Sequence, residues 1–88
     1  MAEQIQNTYK FDVQLLVEGK NLSKDESFSY IAENIEGGNL NSDGNESLLK
    51  VSLHTDKPWE LLEYCAGLGS IHDVVIVNMT RVANGLQG

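Results

Sequence analysis

Apolar and polar residues alternate along the segment YKFDVQLLVE. Phe11, Val13, Leu15 and Val17 take one side, and Lys10, Asp12, Gln14, Leu16 and Glu18 take the other. A period of two is that of a strand with one buried face. The period then lengthens. Phe28, Ile31, Ala32 and Ile35 recur at i, i+3, i+4 and i+7, a single helical stripe. Ser23 and Glu26 supply an S-x-x-E capping box in front of it, with Leu22 as a staple. Gly37 offers a left-handed stop behind it. Alternation returns in SLLKVSLHT, where Leu49, Val51 and Leu53 oppose Leu48, Lys50, Ser52 and His54. A second helix follows, with Asp56 or Lys57 at its cap and Pro58 in its first turn. Trp59, Leu62, Cys65 and Ala66, helped by Leu61 and Leu68, give it a buried side, and Gly67 and Gly69 end it. The β-branched run IHDVVIVNMTRV, residues 71–82, predicts a closing strand.

Between the first helix and the second alternating strand lies EGGNLNSDGNES, residues 36–47. Asp43-Gly44 is the dipeptide that a type I′ hairpin turn prefers, and Leu40 marks a short strand before it. With that strand the order is βαββαβ. This is an α+β fold, the ferredoxin-like sandwich: a four-stranded antiparallel sheet with two helices on one face. A three-stranded alternative would need a long structureless loop, which compact domains avoid. The 88 residues make one domain, 1–88, with 1–8 and 83–88 expected to be flexible.

Little chemistry is written into this framework. NLNSDGNESLLK sets Asn39, Asn41 and Asp43 at positions 1, 3 and 5 of a calcium loop, and Gly44 at position 6. Its twelfth position is Lys50, a cation where a bidentate glutamate belongs, so a hairpin is expected instead of a metal site. Cys65 lies on the apolar side of its helix and reads as a small hydrophobe. His54 and His72 flank strands and read as surface residues. One cysteine excludes an intrachain disulfide and fits a reducing compartment. The longest aliphatic run, Val74–Val77, is too short for a membrane span, and no signal peptide is visible. The expectation is a cytoplasmic, non-enzymatic protein with no catalytic residue, cofactor or metal.

Charge changes this picture. Thirteen acids face six bases, a net charge of −7. Such a surface repels nucleic acid and anionic membranes and attracts basic partners. The open sheet face also lacks the aromatics that RNA-recognition sheets use. Asp25, Glu26, Glu33, Glu36, Asp56, Glu60 and Glu63 fall on or beside the two helices, against Lys24 and Lys57. Residues three or four apart on a helix lie roughly 5–6 Å from one another, so these acids form rows of negative charge. The acidic face is expected to bind a basic protein, in particular a DNA-binding one. In size and charge the chain resembles the small acidic inhibitors that bacteriophages direct against host DNA-binding proteins. That resemblance implies a DNA mimic acting in the host cytoplasm on a nucleoid-associated, HU-type partner. A second resemblance lies in DKPWELLEYCAGLGSIHDVVIVNM, residues 56–79, which is similar to the strand–helix–strand segment of ACT-type domains. It implies small-molecule sensing as the alternative. Finally, Leu16, Leu48, Val74 and Ile76 leave an apolar strip on the open sheet face, and a homodimer is expected to cover it.

Overall fold

The computed structural model describes residues 9–88; the flexibility expected of 1–8 lies outside the described residues. Seven elements follow one another: β1 (Phe11–Glu18), α1 (Lys24–Asn34), β2 (Gly38–Gly44), β3 (Leu48–Thr55), α2 (Pro58–Leu68), β4 (Ser70–Asn78) and α3 (Met79–Ala83). The four strands form one antiparallel sheet in the order β2-β3-β1-β4. The fold is therefore α+β, as the alternation of periods indicated.

Strands β1 and β3 pair without interruption from Phe11 opposite Thr55 to Glu18 opposite Leu48. Directly opposed residues share a face, so their odd-numbered side chains form one floor. Val13, Leu15, Val17, Leu49, Val51 and Leu53 are all buried there. Ile31 and Ile35 from the α1 side and Leu61 and Cys65 from α2 complete the same cluster. Burying such side chains contributes about 1.5–3 kcal/mol each, which makes this cluster the main source of stability.

Helix α1 begins where the capping box placed it: the Ser23 Oγ accepts from the Glu26 N–H at 3.1 Å. Its buried stripe is rotated from the expected one. Ser27 and Ile31 are buried, whereas Phe28 is 43% exposed and Ala32 is exposed. Ser27 tolerates burial because its hydroxyl donates to the Lys24 carbonyl at 2.9 Å. Ile35 reaches the core from an extended backbone just after the helix, not as its next turn. Gly37 does not stop the helix in a left-handed conformation. It lies against β3, where an added Cβ would sit 2.5 Å from the His54 carbonyl oxygen.

In α2 the buried residues are Pro58, Leu61 and Cys65. Trp59, expected inside, is 61% exposed, and Ala66 is exposed too. Lys57 occupies the N-cap without a side-chain bond. Asp56 is engaged elsewhere, its Oδ1 accepting from the Lys10 N–H at 2.8 Å.

Two further expectations give way. The hairpin turn is not centred on Asp43-Gly44. Strand β2 runs through Gly44, and the turn is held by Asn45, whose Oδ1 accepts from the N–H groups of Ser47 and Leu48 at 2.8 and 3.0 Å. The closing strand ends at Asn78, four residues early. The Asn78 Oδ1 accepts from the Arg81 N–H at 3.0 Å and starts α3. A capping asparagine thus outweighs the β-branched residues that follow it. Residues 84–87 are held by hydrogen bonds, among them Arg81 Nε to the Gln87 carbonyl at 2.8 Å.

Candidate functional site

Two surfaces carry the residues singled out by the sequence. The first is the helix layer. Asp25 and Glu26 sit in the first turn of α1, Glu33 near its end and Glu36 just beyond it; all four are exposed. Glu60 and Glu63 lie on α2. The structure brings the last two together with residues the sequence did not mark. Tyr30 of α1 and Tyr64 of α2 stack with ring centroids 4.1 Å apart and planes 7° from parallel. Beside them is a cleft of about 360 Å³ lined by Tyr30, Asn34, Ile35, Glu60, Glu63 and Tyr64. Burial raises the pKa of the Tyr64 hydroxyl, and Cys65, Tyr30 and Glu26 add to the shift. The phenol is therefore held neutral. Spacing offered a faint signal: Tyr30 follows Glu26 by four residues, and Tyr64 follows Glu60 by four.

Asp56 leaves the acidic set, since its carboxylate is bound to the backbone at the start of β1. Glu36 contributes more than charge: its carbonyl accepts the Thr55 hydroxyl at 2.9 Å, and Thr55 Oγ1 in turn accepts from the Lys57 N–H at 3.1 Å. That buried threonine links the end of α1 to the start of α2.

The second surface is the sheet face away from the helices. Its cross-strand rows are His54–Asp12–Val77, Ser52–Gln14–Val75, Lys50–Leu16–His72 and Leu48–Glu18–Ser70. Leu16 and Leu48 lie on it as expected, but β4 does not follow the expected alternation. A bulge between the pairs Gln14–Val75 and Leu16–His72 inserts a residue, and Asp73 there has φ +52°. Past the bulge the faces exchange. Ile76 pairs with the core residue Val13 and so points to the helix side, while Val75 joins the open face. Val74 lies in the bulge itself and is exposed. The apolar strip is therefore Leu16, Leu48 and Val75. Next to it is a shallow depression of about 220 Å³ lined by Gln14, Leu15, Leu16, Lys50, Asp73 and Val75.

Polar pairs sit on the same face. His54 Nδ1 lies 3.3 Å from Asn39 Nδ2, and its Nε2 lies 3.8 Å from Asp12 Oδ1. His72 lies 3.6 Å from Glu18 and 3.5 Å from Asp73. The calcium-loop residues are spread along a strand: Asp43 faces Lys50 across β2 and β3, so their oxygens do not converge. Cys65 is fully buried, and burial pushes its thiol up to about 11. A thiol held protonated in this way is not a nucleophile at neutral pH.

The sequence model of one protein family, the FakA-like middle domain of fatty acid kinase, matches residues 8–85. The chain belongs to that family. The match runs from the residue before Tyr9 through α3, so it covers every element of the fold. Comparison with curated proteins gave no match. Membership in the FakA-like middle-domain family overturns the function inferred from charge. The surplus of acids had suggested a phage-made DNA mimic directed at a nucleoid-associated protein, whereas the family is that of a kinase subunit's middle domain. It equally overturns the ACT-like sensing alternative. The 56–79 likeness reflects a strand–helix–strand unit that unrelated sheets share. Net charge constrains solubility and association, and it does not name a function. Among the described residues, no helix is long and apolar enough to cross a membrane.

Proposed function

We propose that this chain is a ferredoxin-like, non-catalytic middle module of a FakA-like fatty acid kinase protein, and that it holds the segments on either side of it close together. The observation that carries this reading is the family match over residues 8–85. The strand order supports the ferredoxin-like assignment, because β1 and β3 occupy the centre and each helix crosses to a strand beyond its neighbour.

The clamping role rests on where the module's two ends lie. Phe11 at the start of β1 pairs with Asn78 at the end of β4. The Met79 N–H donates to the Lys10 carbonyl at 2.7 Å. Segments entering and leaving the sheet are therefore fastened side by side, the arrangement that lets a domain sit inside a longer chain. The non-catalytic part rests on how the polar groups are used. Ser23, Asn45, Asp56 and Asn78 each accept from backbone N–H groups, and Cys65 is sealed in the core.

A graft tests the proposal. Residues 8–85 placed in the middle-domain position of an active FakA-type fatty acid kinase should preserve ATP-dependent phosphorylation of fatty acid. A flexible Gly/Ser linker at the same position should abolish it. The isolated chain should neither bind ATP nor phosphorylate fatty acid. Activity from the isolated chain, or a folded graft no better than the linker, would refute the reading.

The open sheet face is best accounted for by a second copy. Leu16, Leu48 and Val75 form a strip that a two-fold axis would place against itself.

A further inference from the structure

The α1–α2 cleft has a composition that core packing does not require. Its walls are Tyr30 and Tyr64, already stacked and thus fixed in orientation. Its floor is Ile35, 7% exposed. Its rim carries Glu60 and Glu63, and neither carboxylate has a hydrogen bond or ion pair among the described residues. One turn before Glu63 on the same helix stands Trp59, 61% exposed and the only tryptophan of the chain. An exposed tryptophan beside a tyrosine-lined cleft is the composition of interface anchors, where Trp, Tyr and Arg dominate.

We propose that the cleft and the adjoining face of α2 form a docking surface for a polypeptide segment of a partner protein that inserts an arginine between Tyr64 and the Glu60 and Glu63 carboxylates. Charge complementarity commits the occupant to a cation, because the rim is anionic and unneutralised. The aromatic walls select arginine over lysine. A guanidinium stacks on a ring face and donates a planar fork of N–H groups to a carboxylate, whereas an ammonium is a hydrated point charge. The apolar stem of the arginine would lie along Ile35 and the Tyr30–Tyr64 pair. Trp59 then covers the segment from outside. This inference goes beyond the middle-module reading and stands or falls separately from it, because its test involves no kinase activity.

Trp59 is also the reporter. The intact chain is titrated at low salt with a capped peptide carrying two arginines separated by alanines, and Trp59 emission is followed. Two further peptides replace the arginines with lysine or with uncharged citrulline. The arginine peptide should give a saturable change. Lysine should bind several-fold more weakly and citrulline without measurable affinity. E60Q combined with E63Q should weaken arginine binding about tenfold, since charge-assisted bidentate bonds are lost. E46Q, on the exposed turn between β2 and β3, removes a charge elsewhere and should change nothing. Circular dichroism confirms that each variant is folded. No response to the arginine peptide would overturn the proposal. So would equal affinity for arginine and lysine, or equal weakening by E46Q, either of which would reveal attraction to net charge alone.

Discussion

Cys65 shows how one buried side chain ties reactivity and stability to pH. Its thiol pKa rises from 9.0 to about 11 because the core cannot solvate a thiolate. At pH 8 only about one folded molecule in a thousand would carry the thiolate. Alkylation by iodoacetamide should therefore be slow in the native chain and accelerate sharply in urea; equal rates would contradict the burial. The same shift sets a stability window. Below pH 9 both folded and unfolded chains hold the proton, and the contribution is fully present. Between pH 9 and about 11 the unfolded chain releases its proton while the folded chain retains it, so stability falls as pH rises. The loss is of the order of 2–3 kcal/mol across that window. Urea midpoints at pH 8 and 11 measure it against Cys65→Ala, which should lack this component. Asp56 acts at the same scale by fastening β1 to the β3–α2 turn through one 2.8 Å bond. Asp56→Ala should cost about 1 kcal/mol in urea denaturation, and a neutral result would mean that water replaces the carboxylate there.

At the scale of elements, the turn and the last helix depend on single residues. Gly44 has φ +116°, and a Cβ there would lie 2.1 Å from the Leu48 carbonyl oxygen. Gly44→Ala combines backbone strain with that clash and should destabilise the fold by about 2 kcal/mol or more. A loss below about 0.5 kcal/mol would show that the turn can rearrange without strain. Asn78→Ala should release α3 at a cost of about 1 kcal/mol, seen as faster hydrogen exchange at the Arg81 amide with β1–β3 protection unchanged. These elements also show what the sequence could convey. Strands β1 and β3 were legible because each has one solvent face and one core face, so period two is enforced throughout. Ser23 fixed the start of α1. The stripes within the helices were less legible. Ser27 and Phe28 are neighbours, and their exchange of roles depends on how α1 is rotated against β2, which is a tertiary outcome. In β4 a local pattern cannot show that Asp73 adopts a positive φ, and that one residue moves Ile76 from the expected open face to the helix side. The tyrosine-lined cleft was hidden for a similar reason. Tyr30 and Tyr64 are 34 positions apart and meet only because both helices cover the same floor.

For the whole molecule, the net charge of −7 opposes the association that the open sheet face favours. Two copies meeting through Leu16, Leu48 and Val75 bring like-charged bodies together, while the apolar strip they bury does not depend on salt. At physiological ionic strength the screening length is about 8 Å, so repulsion between the copies persists at low salt and fades as salt rises. Dimerisation should therefore tighten between about 20 mM and 500 mM salt. Docking of an arginine-bearing segment at the α1–α2 cleft should weaken over the same range, because there the charges are opposite. The two surfaces are thus separable by the sign of their salt dependence. Sedimentation of the intact chain should show a dimer of the 9.7 kDa protomer that dissociates on dilution, more readily at low salt. Leu48→Glu and Val75→Glu alter exposed positions on the strip and should each give monomers with an unchanged circular dichroism spectrum. Glu60→Gln should leave the dimer intact, or strengthen it slightly by lowering the charge. A chain that sediments as a monomer at every salt concentration would leave the strip as ordinary exposed aliphatic surface. Dimerisation that weakens with salt would place the contact on charged residues instead of on the open sheet face.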